Sequence, residues 1–396
     1  MNPPRCRLLP GREKSLLRRH PWVFPGALVS PDAPIAPGET VLLCDAKDRP
    51  LAVAAWSPES QLRARVWSFD PVENIDADFF RRRIARAVEL RRTLGLLDPA
   101  GGGRLIYSES DGLPGIIVDR YADFAVAQFT GAGAERFREV AAEKLLELPF
   151  IRGVYERSDA PVRDKEGLDR RSGMLAGETL PDEVRFTENG LTFAADLRRG
   201  QKTGFYFDLR DARQVIRRYA SGRRVLNVFA YTGGFAVAAL AGGASEVLNA
   251  DSSAPALKQA GRNLELNGFP DHWTNRCGDA FRILRELAEA NEKFDMVILD
   301  PPKLIPGKAA LIRGCRGYQD LARLGFQLLN KGGLLANFSC SGLMDAALFQ
   351  KITAAAALEA GRDAKILLHL EQAADHPVVL SVPESFYLKG LLSIVD

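Results

Sequence analysis

The sequence predicts an α/β fold whose main body is a mostly parallel sheet over residues 191–396, after β-rich segments at 1–75 and 76–190. Three observations support it. Residues 191–396 alternate strand-like and helix-like runs, the texture of crossover connections between parallel strands. One strand-like run, 225–229, enters a Gly233-Gly234 turn and then a helix. Asp251, Asp279 and Asp300 each follow a candidate strand, at the edge of such sheets where ligands collect.

Residues 1–75 hold short strand-like runs at 40–44, 51–54 and 62–67, punctuated by Pro, Gly and Asp. A helix is expected over 78–97, where Phe79, Phe80, Ile84, Val88 and Leu94 recur near helical spacing. Strand texture returns from Leu105, with runs at 116–118, 125–129 and 153–156 around a helix over 134–147. The polar stretch 158–182 has few large apolar residues and reads as loop. Phe186 and the run 191–195 flank Glu188-Asn189-Gly190, and Asn-Gly suits a tight primed turn. Further strands are expected at 225–229, 247–250, 296–299 and 334–338, with helices over 235–240, 254–266, 316–329 and 345–360.

Composition excludes several classes. The chain has 396 residues, 46% of them apolar and 26% charged, which describes an ordinary soluble protein. No run of eighteen apolar residues exists to span a membrane. The Arg-rich N-terminus continues into Arg18-Arg19-His20-Pro21 rather than an apolar stretch, so a signal peptide is not expected. Five scattered cysteines then read as reduced thiols of a cytoplasmic protein. The absence of a CxxC pair and the count of four histidines argue against a metal centre. Net charge is only +3, but residues 1–20 carry six Arg or Lys against one acid, Glu13. Arg63, Arg65, Arg81, Arg82, Arg83 and Arg86 extend this bias, which suits phosphate contacts or simply a solvated face.

Candidate chemistry gathers at the strand ends. The turn Ala230-Tyr231-Thr232-Gly233-Gly234-Phe235 lets backbone approach a ligand, although its spacing is not the dinucleotide fingerprint GxGxxG. Asp251 is placed to accept from ribose hydroxyls, and Asp279 to read an adenine amino group. The bland alternative is that these acids cap helices. Cys340 ends a strand in Asn337-Phe338-Ser339-Cys340-Ser341-Gly342, while a second strand ends in Asp300-Pro301-Pro302-Lys303. A cysteine so placed is either small core filling or a nucleophile.

Several motifs then resemble the ribosomal RNA large subunit methyltransferase I family. They are 227–240, 300–303, Cys315-Arg316-Gly317-Tyr318, 338–344 and Gln372-Ala373-Ala374-Asp375-His376-Pro377, together with 11–22 and Ser110-Asp111-Gly112-Leu113-Pro114-Gly115. The resemblance covers essentially the whole chain. It implies an N-terminal PUA RNA-binding domain (1–75), a central β-rich α+β domain (76–190) and a Rossmann-like class I methyltransferase domain (191–396). The implied activity is transfer of a methyl group from S-adenosylmethionine to carbon 5 of one cytosine in 23S rRNA.

By the same resemblance, Phe207, Asp208, Asn227, Phe229, Tyr231, Gly233, Asp251, Asp279 and Asp300 are the expected cofactor contacts. Asp300 also lies beside the target base, and Cys340 is the expected nucleophile. Arg12, Lys14, Arg18, Arg19 and Lys303 are the candidate RNA contacts, with Trp22 or Trp67 as stacking groups unless they are core. A homodimer fits the resemblance. Leu304 stands where many relatives carry Phe.

Broader cytosine-C5 RNA methyltransferases often carry a second cysteine where this chain has Pro302, so product release here needs another group or water. Cys315 is expected to be structural. Two rivals remain. An amino-directed methyltransferase of the same fold would want an aromatic residue at Lys303, and an assembly factor without activity would be expected to lose some of Gly233, Asp251, Asp300 or Cys340.

Overall fold

A computed structural model describes residues 3–396. They divide into two units. The first holds the chain up to Thr187 with Asp196–Phe205 and Ala374–Ser385; the second holds Glu188–Ala195, Tyr206–Ala373 and Phe386–Asp396.

The first unit opens with β1 (Arg5–Arg7), the one-turn helix α1 (Lys14–Leu17), β2 (Trp22–Val23), β3 (Thr40–Cys44), β4 (Pro50–Trp56) and β5 (Ala64–Ser68). They form a five-stranded sheet of order β1-β3-β4-β5-β2, antiparallel except for β1 beside β3. Its core is Leu16, Val23, Val41, Leu43, Ala54, Trp56 and Val66, all buried. The sequence pattern omitted β1 and β2, which are too short to show alternation.

Next come α2 (Ala77–Thr93), β6 (Gly102–Tyr107), β7 (Ile116–Tyr121), β8 (Phe124–Phe129), α3 (Ala132–Arg136), α4 (Arg138–Leu146), β9 (Gly153–Ser158), β10 (Arg171–Gly177) and β11 (Val184–Glu188). Strands β6 to β10 lie in the sheet order β10-β9-β8-β7-β6. The Asp76 carboxylate caps α2 by accepting from the amide of Phe79 at 2.9 Å. That helix buries Phe79, Phe80, Ile84 and Val88 against the sheet, and each large apolar side chain contributes roughly 1.5–3 kcal/mol. Trp67 stands edge-on to Phe79 and Phe80, with centroids at 6.1 and 5.6 Å, so it is core and not a stacking platform. The helix expected over 134–147 is broken at Phe137, whose ring packs 4.8 Å from Phe80. A strand also replaces the loop expected within 158–182: β10 pairs antiparallel with β9. Its side chains are largely exposed, so backbone pairing at a sheet edge carries it and apolar patterning does not.

The return segment 374–385 is tied into this unit. Arg91, 1% exposed, donates to Asp111 at 2.6 Å and to the Asp375 carbonyl at 2.7 Å. The Asp375 carboxylate accepts from the amide of Arg104 at 2.9 Å and pairs with His376 at 2.8 Å, and that imidazole packs 5.1 Å from Tyr107. The motif 372–377 is therefore, in part, a structural strap.

The second unit contains β12 (Leu191–Ala195), α5 (Arg210–Tyr219), β13 (Arg224–Val228), α6 (Gly234–Ala241), β14 (Glu246–Asp251), α7 (Ala254–Leu266), β15 (Trp273–Cys277), α8 (Ala280–Glu289) and β16 (Phe294–Leu299). It continues through α9 (Leu311–Gln327), β17 (Leu329–Ser339), α10 (Ala346–Glu359), β18 (Ala364–Glu371) and β19 (Lys389–Val395). Before β12, Asn189 and Gly190 take φ of +53° and +76°, as a primed turn requires.

The sheet order is β15-β14-β13-β16-β17-β19-β18. The first five strands are mutually parallel, and β19 and β18 reverse the direction at one edge. Sequence patterning did not foresee β18, β19 or α5. The chain winds outward from β13 to β15 and then crosses back to β16, so a switch point lies between β13 and β16. A crevice is expected there, at the carboxyl ends of the strands.

Candidate active site

The loop leaving β13 is built from strained backbone. Phe229, Tyr231 and Gly233 have φ of +61°, +46° and +79°. For the two aromatic residues that conformation costs on the order of 1–3 kcal/mol each. Gly233 meets two constraints at once, because a Cβ there would also come within 2.8 Å of Ala260 on α7. Asp251 ends β14 and holds the loop: its carboxylate accepts from the amides of Tyr231 and Ser253, both at 2.8 Å. Asn263, fully buried on α7, donates to the Thr232 carbonyl at 2.9 Å. Each Asp251 oxygen accepts one protein hydrogen bond and retains acceptor capacity for hydroxyls. A half-buried carboxylate beside strained backbone at a switch point fits the ribose end of S-adenosylmethionine.

Asn227, an expected cofactor contact, is also committed within the sheet. It is 1% exposed in mid-strand and donates to Asn249 at 3.0 Å, which donates to Asn275 at 3.2 Å, making a ladder across β13, β14 and β15. The ladder ends where Asn275 donates to the Leu257 carbonyl at 2.8 Å. Asn227 thus braces the strands beneath the loop. Asp279 caps α8 through the amide of Arg282 at 2.9 Å and is exposed. Phe207 and Asp208 lie in a single turn before α5, both buried, and Asp208 accepts from the Tyr387 hydroxyl at 2.5 Å.

Asp300 follows β16 and Cys340 follows β17, neighbouring parallel strands, and both residues are half-buried. Pro301 and Pro302 carry no amide hydrogen and end the regular pairing. The two loops share one set of polar contacts. Tyr318 on α9 and Ser341 lie 2.9 Å apart, oxygen to oxygen, and the Ile305 amide donates to Ser341 Oγ at 3.3 Å. Glycines in the Cys315-Arg316-Gly317-Tyr318 region allow this: a Cβ at Gly314 would sit 2.3 Å from Ile305, and one at Gly317 would sit 3.1 Å from Leu304. Cys315 packs half-buried with Ile305, Tyr318 and Met344, and burial raises its thiol pKa.

A model of S-adenosylmethionine-dependent methyltransferases matches residues 162–393, and a PUA-like domain matches residues 7–69. Ribosomal RNA large subunit methyltransferase I of Aeromonas salmonicida (strain A449) is 52% identical over 386 residues, which cover 97% of this chain and 98% of that one. The protein of the same name from Escherichia coli O139:H28 is 48% identical over 387 residues, covering 98% of each. The chain belongs to the ribosomal RNA large subunit methyltransferase I family. A solved Streptococcus mutans structure assigned to the SAM-dependent methyltransferases covers 99% of this chain and 100% of its own, with TM-score 0.84 at 21% identity, and shares the fold.

In this methyltransferase two residues given no individual role in the sequence stand near the candidate site. Tyr206 is buried, packs edge-on to Tyr231 at 5.5 Å, and has a strongly raised phenol pKa. Desolvation is the main cause, and Tyr231, Asp300, Asp208 and Cys340 add to it, so the ring stands among the site's own charges. Lys389, at the start of β19, is the other. Neither residue type announces itself in a sequence, and only packing brings them to the strand ends. In the first unit Arg12, Lys14, Arg18 and Arg19 are exposed around α1, whereas Trp22 donates to Glu109 at 3.0 Å. Lys303 is exposed beside Asp300. Among the described residues, no helix is long and apolar enough to cross a membrane.

Proposed function

We propose that this chain methylates carbon 5 of one cytosine in 23S rRNA, with Cys340 as nucleophile. The observation that carries the reading is the placement of Cys340 and Asp300 at the carboxyl ends of adjacent strands, their loops held together by Tyr318 and Ser341. The bound cofactor supplies an electrophilic methyl group on a sulfonium sulfur. Gly233, Tyr231 and Asp251 hold its ribose side, with Phe207 and Asp208 before α5 and Asp279 beside α8 lining the rest.

Carbon 5 of cytosine is a poor nucleophile. Cys340 gives up its proton, and a sulfur lone pair forms the bond to carbon 6 while the ring double-bond pair moves to carbon 5. Asp300 faces N3 and carries a proton there as aromaticity is lost. Carbon 5 takes the methyl group with that pair, the methyl–sulfur pair stays on the cofactor's sulfur as a neutral thioether, and the N3 proton returns to Asp300. A base then removes the carbon 5 proton, the C–H pair restores the double bond, and the C–S pair returns to Cys340. Pro302 cannot help, so this last base is water or another group.

The target base leaves its stack to reach Cys340. Arg12, Lys14, Arg18, Arg19 and Lys303 hold RNA phosphates, which position the substrate without reading its sequence. A cytoplasmic homodimer acting on 23S rRNA or a large-subunit assembly intermediate completes the reading, and sedimentation equilibrium tests the dimer.

The deciding experiment incubates the protein with unmodified 23S rRNA and labelled cofactor and maps the product. Methyl-5-cytosine is expected from the wild type and not from C340A, with cofactor binding retained in the variant. Methyl transfer by purified C340A, or product on another base or on an exocyclic amine, overturns the proposal.

A further inference from the structure

We propose that Lys389 is the counter-ion of the Cys340 thiolate, a positioning residue that keeps the nucleophile charged between turnovers. The inference rests on the role given to Cys340 above. Strand β19 runs antiparallel to β17, and Lys389 stands opposite Ser339, the residue before Cys340. Its ammonium donates at 2.9 Å to the carbonyl of Ser341, the residue after Cys340. A second bond, at 2.7 Å, goes to the carbonyl of Tyr387. The lysine therefore meets both chain neighbours of the cysteine, one by strand pairing and the other by a hydrogen bond. Its described hydrogen bonds are these two, and the ammonium also lies 6.0 Å from the centroid of the Phe386 ring.

Lys389 is 5% exposed. Lysine is rarely so buried without a partner. Two carbonyl acceptors favour the ammonium form without neutralising it, which leaves a positive charge that the thiolate can answer. Neighbouring packing fixes the position: a Cβ at Gly390 would lie 2.5 Å from the Phe338 ring, so only glycine lets β19 approach β17 this closely. Burial lowers the Lys389 pKa, while the charges of Cys340 and Asp345 raise it and Lys303 lowers it further. Tyr206 and Tyr318 also feel the cysteine's charge, and both phenols are raised chiefly by burial, so they remain neutral around it. Lys389 is the cation hydrogen-bonded to the cysteine's own loop. No chemistry is needed to set it: the thiol proton goes to water, and the ammonium lowers the free energy of the charge left behind.

The test reads the thiol directly. Alkylation of Cys340 by iodoacetamide, followed peptide by peptide with mass spectrometry across pH, gives the midpoint of its ionisation. In K389M the midpoint is expected to rise by about one unit, a roughly tenfold slower reaction at neutral pH. K389Q, which keeps amide donors for the two carbonyls but no charge, is expected to shift alike, and K389R to stay near the wild type. Midpoints in folded K389M or K389Q that match the wild type overturn the proposal. A reciprocal measurement needs no change at position 389: in C340A, competitive acetylation is expected to titrate Lys389 at lower pH than in the wild type, and an unchanged titration overturns the proposal equally. Both readouts run without RNA or turnover, so their failure is separable from failure of C340A to abolish methylation.

Discussion

Tyr318 Oη and Ser341 Oγ lie 2.9 Å apart in the buried interior, and through them the loop after β16 meets the loop after β17. Asp300 and Cys340 sit on those two loops. Removing the phenol oxygen leaves Ser341 without this partner, at a stability loss of about 1–3 kcal/mol. Y318F is expected to unfold at lower urea concentration and to lose about tenfold in kcat, with cofactor affinity within a factor of two. Calorimetric binding and single-turnover rates check this. In a double-mutant cycle with S341A, the two effects should fall well short of adding.

Asp251 is expected to matter to cofactor affinity through the loop it holds. D251A removes the acceptor for the amides of Tyr231 and Ser253, so the positive-φ residues lose their restraint. The expected result is at least a tenfold weaker Kd, about 1.4 kcal/mol. G233A should weaken binding similarly, because both the left-handed backbone and the Ala260 contact oppose a methyl group. Isothermal titration of each variant with S-adenosylmethionine checks both.

The parallel sheet and its loaded edge were legible in the sequence for a physical reason. Buried parallel strands read as short apolar runs, and the residues just after them must lie at one rim, so Gly233, Asp251, Asp300 and Cys340 could be placed before any coordinates. Asn227 and Asp279 show where that logic thins. An Asn within a strand looks the same whether it faces a ligand or a ladder of amides, and an Asp before a helix looks the same whether it binds or caps. Lys389 and Asn263 were invisible because their meaning depends on contacts far away in the chain. Strands β10 and β18 escaped for another reason: exposed edges need little apolar alternation, while β19, buried between β17 and β18, shows no alternation because both of its faces are covered.

The cluster around α1 should act on RNA binding and leave the chemistry alone. Substituting Arg12, Lys14, Arg18 and Arg19 together by alanine is expected to flatten the dependence of log Kd on log salt by about 3, if each cation meets one phosphate. The single-turnover rate at saturating RNA should be unchanged. An unaltered salt slope would show that these four face solvent in the complex as well.

Cys6 makes a prediction at alkaline pH. Burial, and secondarily the Cys44 charge, push its thiol from an ordinary 9.0 to about 11. A raised pKa means that its contribution to stability is complete below pH 9 and is lost as pH climbs toward 11. The loss is roughly 2 kcal/mol. Urea unfolding at pH 8.5 and 10.5 should therefore show a smaller alkaline decline in C6A than in the wild type.

The strap at 374–385 has a consequence for how this polypeptide is made. The buried guanidinium of Arg91 finishes on the Asp375 carbonyl, which leaves the ribosome nearly three hundred residues later, a separation of 284. Vectorial synthesis therefore delivers an amino-terminal portion that stays incomplete until Asp375 has been made. Bisecting the gene between Asp111 and Asp375 would give one product whose Arg91 keeps Asp111 but loses the Asp375 carbonyl, and another with a tail belonging elsewhere. Co-expressed halves should recover together or not at all.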